Sequence, residues 1–481
     1  MSTEREPLSF GVIQGLSMAG LVTGIWAHPE NTSGEFLTLD YWTKLGRKLE
    51  EGGIDFLFLA DQFAYPLKNG TMAERAVEDA VAFPMGDPLV ALSAIAAATS
   101  RLGLVATMST MTEPPAHIAR RLSTLDSLSG GRIGWNIVTG ANQESTTRLF
   151  GTAIRPHAER YAIADDFLEV TLKLWEGSWE DDAVVNDKVR RIYADPAKVH
   201  EIKHEGPYFK CEGALPVPPS PQRTPLLFQA GTSSAGRRFA AKYAEAVFIP
   251  GSHPEKAIAD IAAIRSLAQD EFGRDADAIK FVCGALFITG DTTEEAVRRR
   301  TEMAGYSTLE SAKLEWSYHT GIELTDADMD KPIPGSRQTT PDSSKSLVEK
   351  YESGKGAERQ PQTIGEMLEH LRVHGTTGLG FVGTPEQIAD EVEEFVDRTG
   401  VDGFLIEPFT TPGTYDDFVD RILPVLRERG LARTAYQGDT LREHLFGVDR
   451  VRLPESHVGA SFRHGAAAAV PPKPADAAGG N

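Results

Sequence analysis

Cysteine is nearly absent from this chain: 481 residues hold only Cys211 and Cys283. Two distant thiols make no disulfide framework. Neither they nor the histidines fall into a metal-binding spacing, so no metal is expected and the thiols are read as inert in a reducing compartment. Cations are also scarce. Lys and Arg number 49 against 69 Asp and Glu, a net charge of −20. That balance excludes a broad nucleic-acid or anionic-membrane surface, though a local anion site stays open. No run of 18 apolar residues occurs, and Asp87 interrupts even the Ala-rich stretch around 80–98. The opening MSTEREPLSF carries no apolar leader core, which predicts a cytoplasmic protein with no membrane segment. A glycine-rich GxGxxG after the first strand is missing too, which argues against a doubly wound nucleotide-binding sheet. No internal repeat is present.

What the chain does contain is alternation. Short apolar runs at 8–16, 54–60, 101–107, 132–138, 224–230, 244–250, 281–289 and 401–408 read as strands. Between them lie periodic amphipathic segments such as 41–53, 88–100, 116–131 and 384–400, several stopped by glycine. Eight near-continuous apolar strands, each followed by helix, predict an α/β fold, a (β/α)8 TIM barrel buried on both faces of its sheet. One domain is expected over 1–447, with polar insertions near 177–223 and 305–380 at the carboxyl-terminal face. The second of these reads as a substrate lid. Residues 448–481 are expected to form a disordered tail, on the Pro/Ala/Gly composition of its end.

Three strand ends carry chemistry. LGLVATMST (102–110) and SGGRIGWNIVTG (129–140) finish apolar runs with small or polar residues, as barrel strands do at an active-site mouth. The segment RPHAERYAIADDFLEV then sets His157 and Tyr161 four apart, on one face if helical, where imidazole and phenol can both donate to one anion. LFQAGTSSAGRRFAAKYAEAVF (227–248) turns from strand into helix through small residues. Free amides at that helix start, the dipole and the hydroxyls of Ser233 and Ser234 suit a phosphate, and Gly231 permits close backbone approach. Each feature has a plain alternative in a capped turn or a packed helix face.

In this order and spacing the segments resemble the nitrilotriacetate monooxygenase group of the bacterial-luciferase-like flavoproteins, which includes dibenzothiophene sulfone monooxygenases. The resemblance covers roughly residues 8–447. It implies a pocket for reduced FMN in which Asp61, Thr107 and Asn136 line the ring system. His157, Tyr161, Ser233 and the adjacent Ser234 would meet the phosphate. Thr232 stands where the family often has Gln in its QAGxSxAG loop. His28 in GIWAHPE and His319 in WSYHTGI fall on mouth loops and are the candidate catalytic contacts, since imidazole titrates near neutrality. His117 opens a helix and reads as structural.

The resemblance further implies a two-component monooxygenase in which a separate NAD(P)H:FMN reductase supplies reduced flavin and O2 is cosubstrate. One oxygen atom goes to a small organic substrate, with cleavage of a C–S or C–N bond among the outcomes. The cofactor carries the hard chemistry, so no strict protein nucleophile is demanded. A homodimer or homotetramer is the family expectation. Two alternatives use the same barrel: a deazaflavin-dependent hydride transferase, and a flavin-binding protein without catalysis.

Overall fold

The computed structural model describes residues 6–18, 23–140, 142–335, 338–339, 347–348, 351, 361–376 and 379–465. All eight apolar runs are strands: β1 (Ser9–Gly15), β2 (Phe56–Ala60), β3 (Gly103–Ser109), β4 (Ile133–Val138), β5 (Leu226–Ala230), β6 (Ala246–Ile249), β7 (Lys280–Thr289) and β8 (Gly403–Glu407). They pair in parallel in chain order, and β1 meets β8 through Ser9↔Gly403 to close the ring. A short strand, Gly380–Gly383, adds to β7 alongside β8. The predicted (β/α)8 barrel is therefore the observed fold.

Helices coat the outside. Helix α1 (Leu39–Glu51) buries Tyr41, Trp42, Leu45 and Leu49 against the sheet. Asp87, the residue that breaks the Ala-rich run, caps α2 (Pro88–Ala98) by accepting the Leu89 amide at 2.8 Å. Gly130, at φ 74°, ends α3 (Pro115–Ser129) in a conformation that costs glycine little. Helices α4 (His157–Gly177), α5 (Ser234–Tyr243), α6 (Pro254–Phe272), α7 (Leu309–Thr320) and α8 (Pro385–Thr399) follow. Within the described residues no helix is long and apolar enough to cross a membrane.

The barrel lumen is filled, not hollow. Phe56, Phe58, Val105, Leu226, Phe228, Val282 and Leu405 form its core, with the Phe56 and Phe228 rings 5.3 Å apart. Gly11 makes room for them, since a β-carbon there would lie 2.3 Å from the Phe56 ring. The amino end is stoppered by α9 (Leu441–Phe446), whose Leu441 and Leu445 join that core, Leu441 resting on Gly103 and Gly134. With one end plugged, the carboxyl end is where a ligand can enter.

Two expectations need correction. Residues 448–465 are not a disordered tail: they pack under the barrel, burying Leu453, His457 and Ala460. His457 Nε2 lies 2.9 Å from the Tyr243 carbonyl, and Arg463 holds Glu176 at 2.7 Å. Residues 466–481 lie outside the described residues. The first insertion also departs from expectation, because α4 runs back along the barrel and leaves its end beside the amino face. The insertion roots there as paired strands and then climbs the outside of α4. His204 Nε2 meets Asp166 Oδ1 at 2.9 Å, and the 209–211 edge arrives beside the 110–116 loop. The described part of the 305–380 insertion comes after β7, and its Ser307, Ser311 and Tyr318 hydrogen-bond the segments that follow β1 and β2.

Candidate active site

Adjacent strands β2, β3, β4 and β5 deliver a polar residue each to the carboxyl end. Asp61 follows β2, Thr107 lies in β3 opposite Asn136 of β4, and Gln229 lies in β5 beside Ile137. Thr107 and Asn136 are buried, 3% and 5% exposed. Asn136 Nδ2 donates to Thr107 Oγ1 at 3.0 Å. Asn136 Oδ1 and Gln229 Oε1 have no hydrogen-bond partner among the described residues, though both are buried. Leaving such atoms unsatisfied costs about 1–3 kcal/mol each, so their retention points to a ligand.

Beyond β5 the chain makes the small-residue turn. Ser233 is the N-cap of α5, its Oγ accepting the Gly236 amide at 3.1 Å, and Ser234 is the first, exposed, helical residue. The segment carrying His157 and Tyr161 is helical: His157 begins α4, and the two rings lie 5.0 Å apart. Two helix amino termini thus converge. Tyr161 links them, its hydroxyl in hydrogen-bonding reach of Ser233, Gln229 and Thr139. Burial raises its pKa, which keeps the phenolic proton available for donation. A β-carbon at Gly231 would lie 2.7 Å from Tyr161 Oη and from Gln229 Nε2. Only glycine leaves this turn open. Gln229 and Thr139 escaped the sequence reading. The one signal was a polar residue at the end of an apolar strand.

Asp61 is pushed up to about 7, first by burial and then by the negative charges of Asp87 and Glu113, with the Gln62 backbone N–H opposing. Because its native pKa lies above the unfolded value, the native state binds the proton more tightly. The contribution to stability is full below about 4 and is lost as pH rises through about 7. Asp61→Asn is therefore expected to match the native protein near pH 4 and to melt at higher temperature near pH 8, with the difference growing between them. Thermal melts at both pH values check this, and a difference that does not grow with pH refutes it.

Of the two candidate catalytic histidines expected on mouth loops, His28 is on one but His319 lies within helix α7, and the hydrogen bonds of both are local. His28 follows β1, its Nδ1 accepting the Glu30 amide at 3.2 Å and its ring packing on Tyr306 at 5.0 Å. His319 Nε2 lies 3.0 Å from Glu315 Oε1, one turn back on α7. His117 is exposed in the first turn of α3. Helix α7 itself spans the mouth loops. Tyr318 Oη donates to Gln62 Oε1 at 2.6 Å, Ser311 Oγ to Asp79 Oδ2 at 2.6 Å, and Thr23 Oγ1 meets Ser307 Oγ at 2.9 Å. Trp316 is not at the mouth; it is fully buried in the insertion's own core with Ile364, Met367 and Leu368. Trp26 is half-buried, its Nε1 donating to the Asp79 carbonyl, and Phe63 is exposed and packs on Phe150.

Comparison with known proteins bears on this geometry. Residues 19–403 match the family model described as luciferase-like monooxygenase. The chain is 40% identical over 443 residues to a long-chain alkane monooxygenase of Geobacillus thermodenitrificans, covering 92% of this chain and 94% of that one. It is 40% identical over 447 residues to a dibenzothiophene-sulfone monooxygenase of Rhodococcus erythropolis, covering 90% and 96%. A crystal structure of riboflavin lyase with modified FMN and the substrate riboflavin superposes with a TM-score of 0.89 at 38% identity, covering 95% and 100%.

Proposed function

The chain belongs to the luciferase-like monooxygenase family, and from that membership we propose that it is the oxygenase component of an FMN-dependent two-component system. The observation that carries the reading is the turn at Gly231. There the α5 amino terminus, Ser233 and the Tyr161 hydroxyl surround a space that any side chain would fill. That cradle fits a phosphate, and the orphaned Asn136 Oδ1 and Gln229 Oε1 fit the donor N–H groups of a flavin ring. His157, Tyr161, Ser233 and Ser234 hold the phosphate, while Asp61, Thr107 and Asn136 lie along the ring system.

Reduced FMN, when bound, supplies the two electrons with which one atom of O2 enters the substrate and the other leaves as water. The protein's own contribution is positional. Thr107 orients the Asn136 amide through the 3.0 Å hydrogen bond, which aims its carbonyl oxygen into the pocket. Asp61, with its raised pKa, holds a proton near neutrality. The 305–380 insertion acts as the lid, pinned through α7 to the loops after β1 and β2, and excludes water from the reaction. His28 and His319 face the substrate side. The substrate is a small organic molecule met at the mouth by Trp26 and Phe63, and oxygenation cleaves a C–S or C–N bond. A separate NAD(P)H:FMN reductase delivers the reduced flavin. The protein works in the cytoplasm as a homodimer or homotetramer.

An anaerobic titration of the purified chain with reduced FMN, oxidised FMN and a reduced deazaflavin tests this reading. Tightest binding is expected for reduced FMN, with substrate oxygenation on admitting air. Preference for the deazaflavin, with hydride transfer and no oxygen consumption, would overturn it.

A further inference from the structure

At the amino face, beside the end of α4, three side chains far apart in sequence meet: Glu180, His200 and His464. One ligand-capable atom from each lies within 4.8 Å of the other two. His200 Nε2 is 2.8 Å from Glu180 Oε1. The His200 and His464 rings stack with centroids 3.4 Å apart at 28°. The donor atoms, all within 4.8 Å of one another, need only small side-chain rotations to reach the roughly 3.3 Å between ligands on a tetrahedral zinc ion bound at about 2.0–2.1 Å, with the two rings turning out of their stack.

Glu180 and His200 are held by backbone hydrogen bonds and His464 through its neighbour's side chain, all independently of the cluster. Glu180 N donates to the Lys198 carbonyl at 2.9 Å and His200 N to the Ser178 carbonyl at 2.8 Å, around a Trp179↔Val199 bridge. His464 is steadied by its neighbour Arg463, which binds Glu176 and the Leu453 carbonyl at 2.7 and 3.0 Å. The Gly177 carbonyl lies 3.1 Å from His464 Nε2. A carbonyl that takes the Nε2 proton leaves Nδ1 as the lone-pair nitrogen, which is how outer contacts commonly orient a metal-binding histidine.

We infer that Glu180, His200 and His464 form a binding site for a divalent cation of the zinc class, with water completing the coordination. The donor set of two imidazoles and one carboxylate is suited to that metal. The site joins the last described segment of the chain to the root of the first insertion. It lies at the barrel's amino end, where bound groups support stability and not the chemistry at the mouth.

The test uses the full chain, stripped with a chelator and titrated with ZnCl2, and separately with CoCl2 as an optical probe. One ion per chain is expected with a dissociation constant below about 10 μM. Zinc should raise the melting temperature, and Co²⁺ should develop visible ligand-field absorption. His464→Ala and Glu180→Gln are each expected to weaken binding by at least about 10-fold. Both should keep the native circular dichroism and the native affinity for reduced FMN. Glu180→Gln can still hydrogen-bond His200, so the fold is not at stake in that variant. Absence of saturable zinc binding, or equal affinity in native and Glu180→Gln proteins, would overturn the assignment.

Discussion

Reduced FMN is expected to bind a Tyr161→Phe/Ser233→Ala variant at least ~100-fold more weakly than it binds the native chain. On the proposed phosphate role of these residues, each substitution removes one hydrogen bond to a charged group, worth about 1.5–3 kcal/mol, and about 1.4 kcal/mol is tenfold in affinity. Ser233 also caps α5 through the Gly236 amide, so its loss loosens the helix start that presents the remaining amides. Tyr161 packs on Phe239 with ring centroids 5.7 Å apart, and Phe at 161 keeps that contact. The fold should therefore survive. Anaerobic fluorescence or absorbance titration measures the loss. The comparison that matters is with riboflavin, which lacks the phosphate: the variant should lose affinity for FMN and not for riboflavin. Equal losses for both would place these residues away from the phosphate.

Replacing Arg442 by Met should destabilise the folded protein by about 3–5 kcal/mol, the usual result of stranding a buried charge. Arg442 and Glu245 are 1% and 2% exposed. The guanidinium grips both carboxylate oxygens, at 2.7 and 3.0 Å, and the Thr224 and Val451 carbonyls at 2.8 and 2.7 Å. Those bonds fasten α9 under the strands β5 and β6, so the loss reaches the plug of the barrel. Glu245 would be left with the Leu227 amide alone among its described bonds to α9 and the strands. A second variant separates the causes. Arg442→Met/Glu245→Gln removes the stranded charge and should recover much of the loss in thermal or denaturant melts. If the double variant is no more stable than the single one, the damage comes from packing and not from charge.

The barrel was legible because each strand is buried on both faces. Runs such as IDFLFLA and RIGWNIV have no polar side to present, and the turns between them are marked by Gly, Asp and Asn. The strand-end residues were legible for the same reason. A Thr, Asn or Asp closing an otherwise apolar run has to meet a polar partner, and in a parallel barrel all such ends face one way. The helical spacing of His157 and Tyr161 required only the 3.6-residue period.

Position in space was less accessible. The Pro- and charge-rich 177–223 segment reads as an insertion, but nothing local says that it starts at the amino face; that follows from the direction of α4. Residues 448–465 look like the start of a tail, because polar residues dominate and their partners, Glu176 and Tyr243, lie some two hundred residues or more earlier. Trp316 and Tyr318 sit two apart in one motif. One fills the insertion's core and the other reaches Gln62 at the mouth.

By itself, then, the sequence determined the eight-strand barrel, the polar strand ends at its mouth and the small-residue turn after β5. Those features rest on local periodicity, strand burial and the backbone chemistry of one helix start. Only the tertiary structure decided that Tyr161 closes over Gly231 and that Gln229 joins the rim. It also decided that α9 stoppers the barrel and that Glu180, His200 and His464 converge. Each of these depends on contacts between segments tens to hundreds of residues apart. Their geometry is set by how helices pack against a closed sheet, and no periodicity within one segment encodes it.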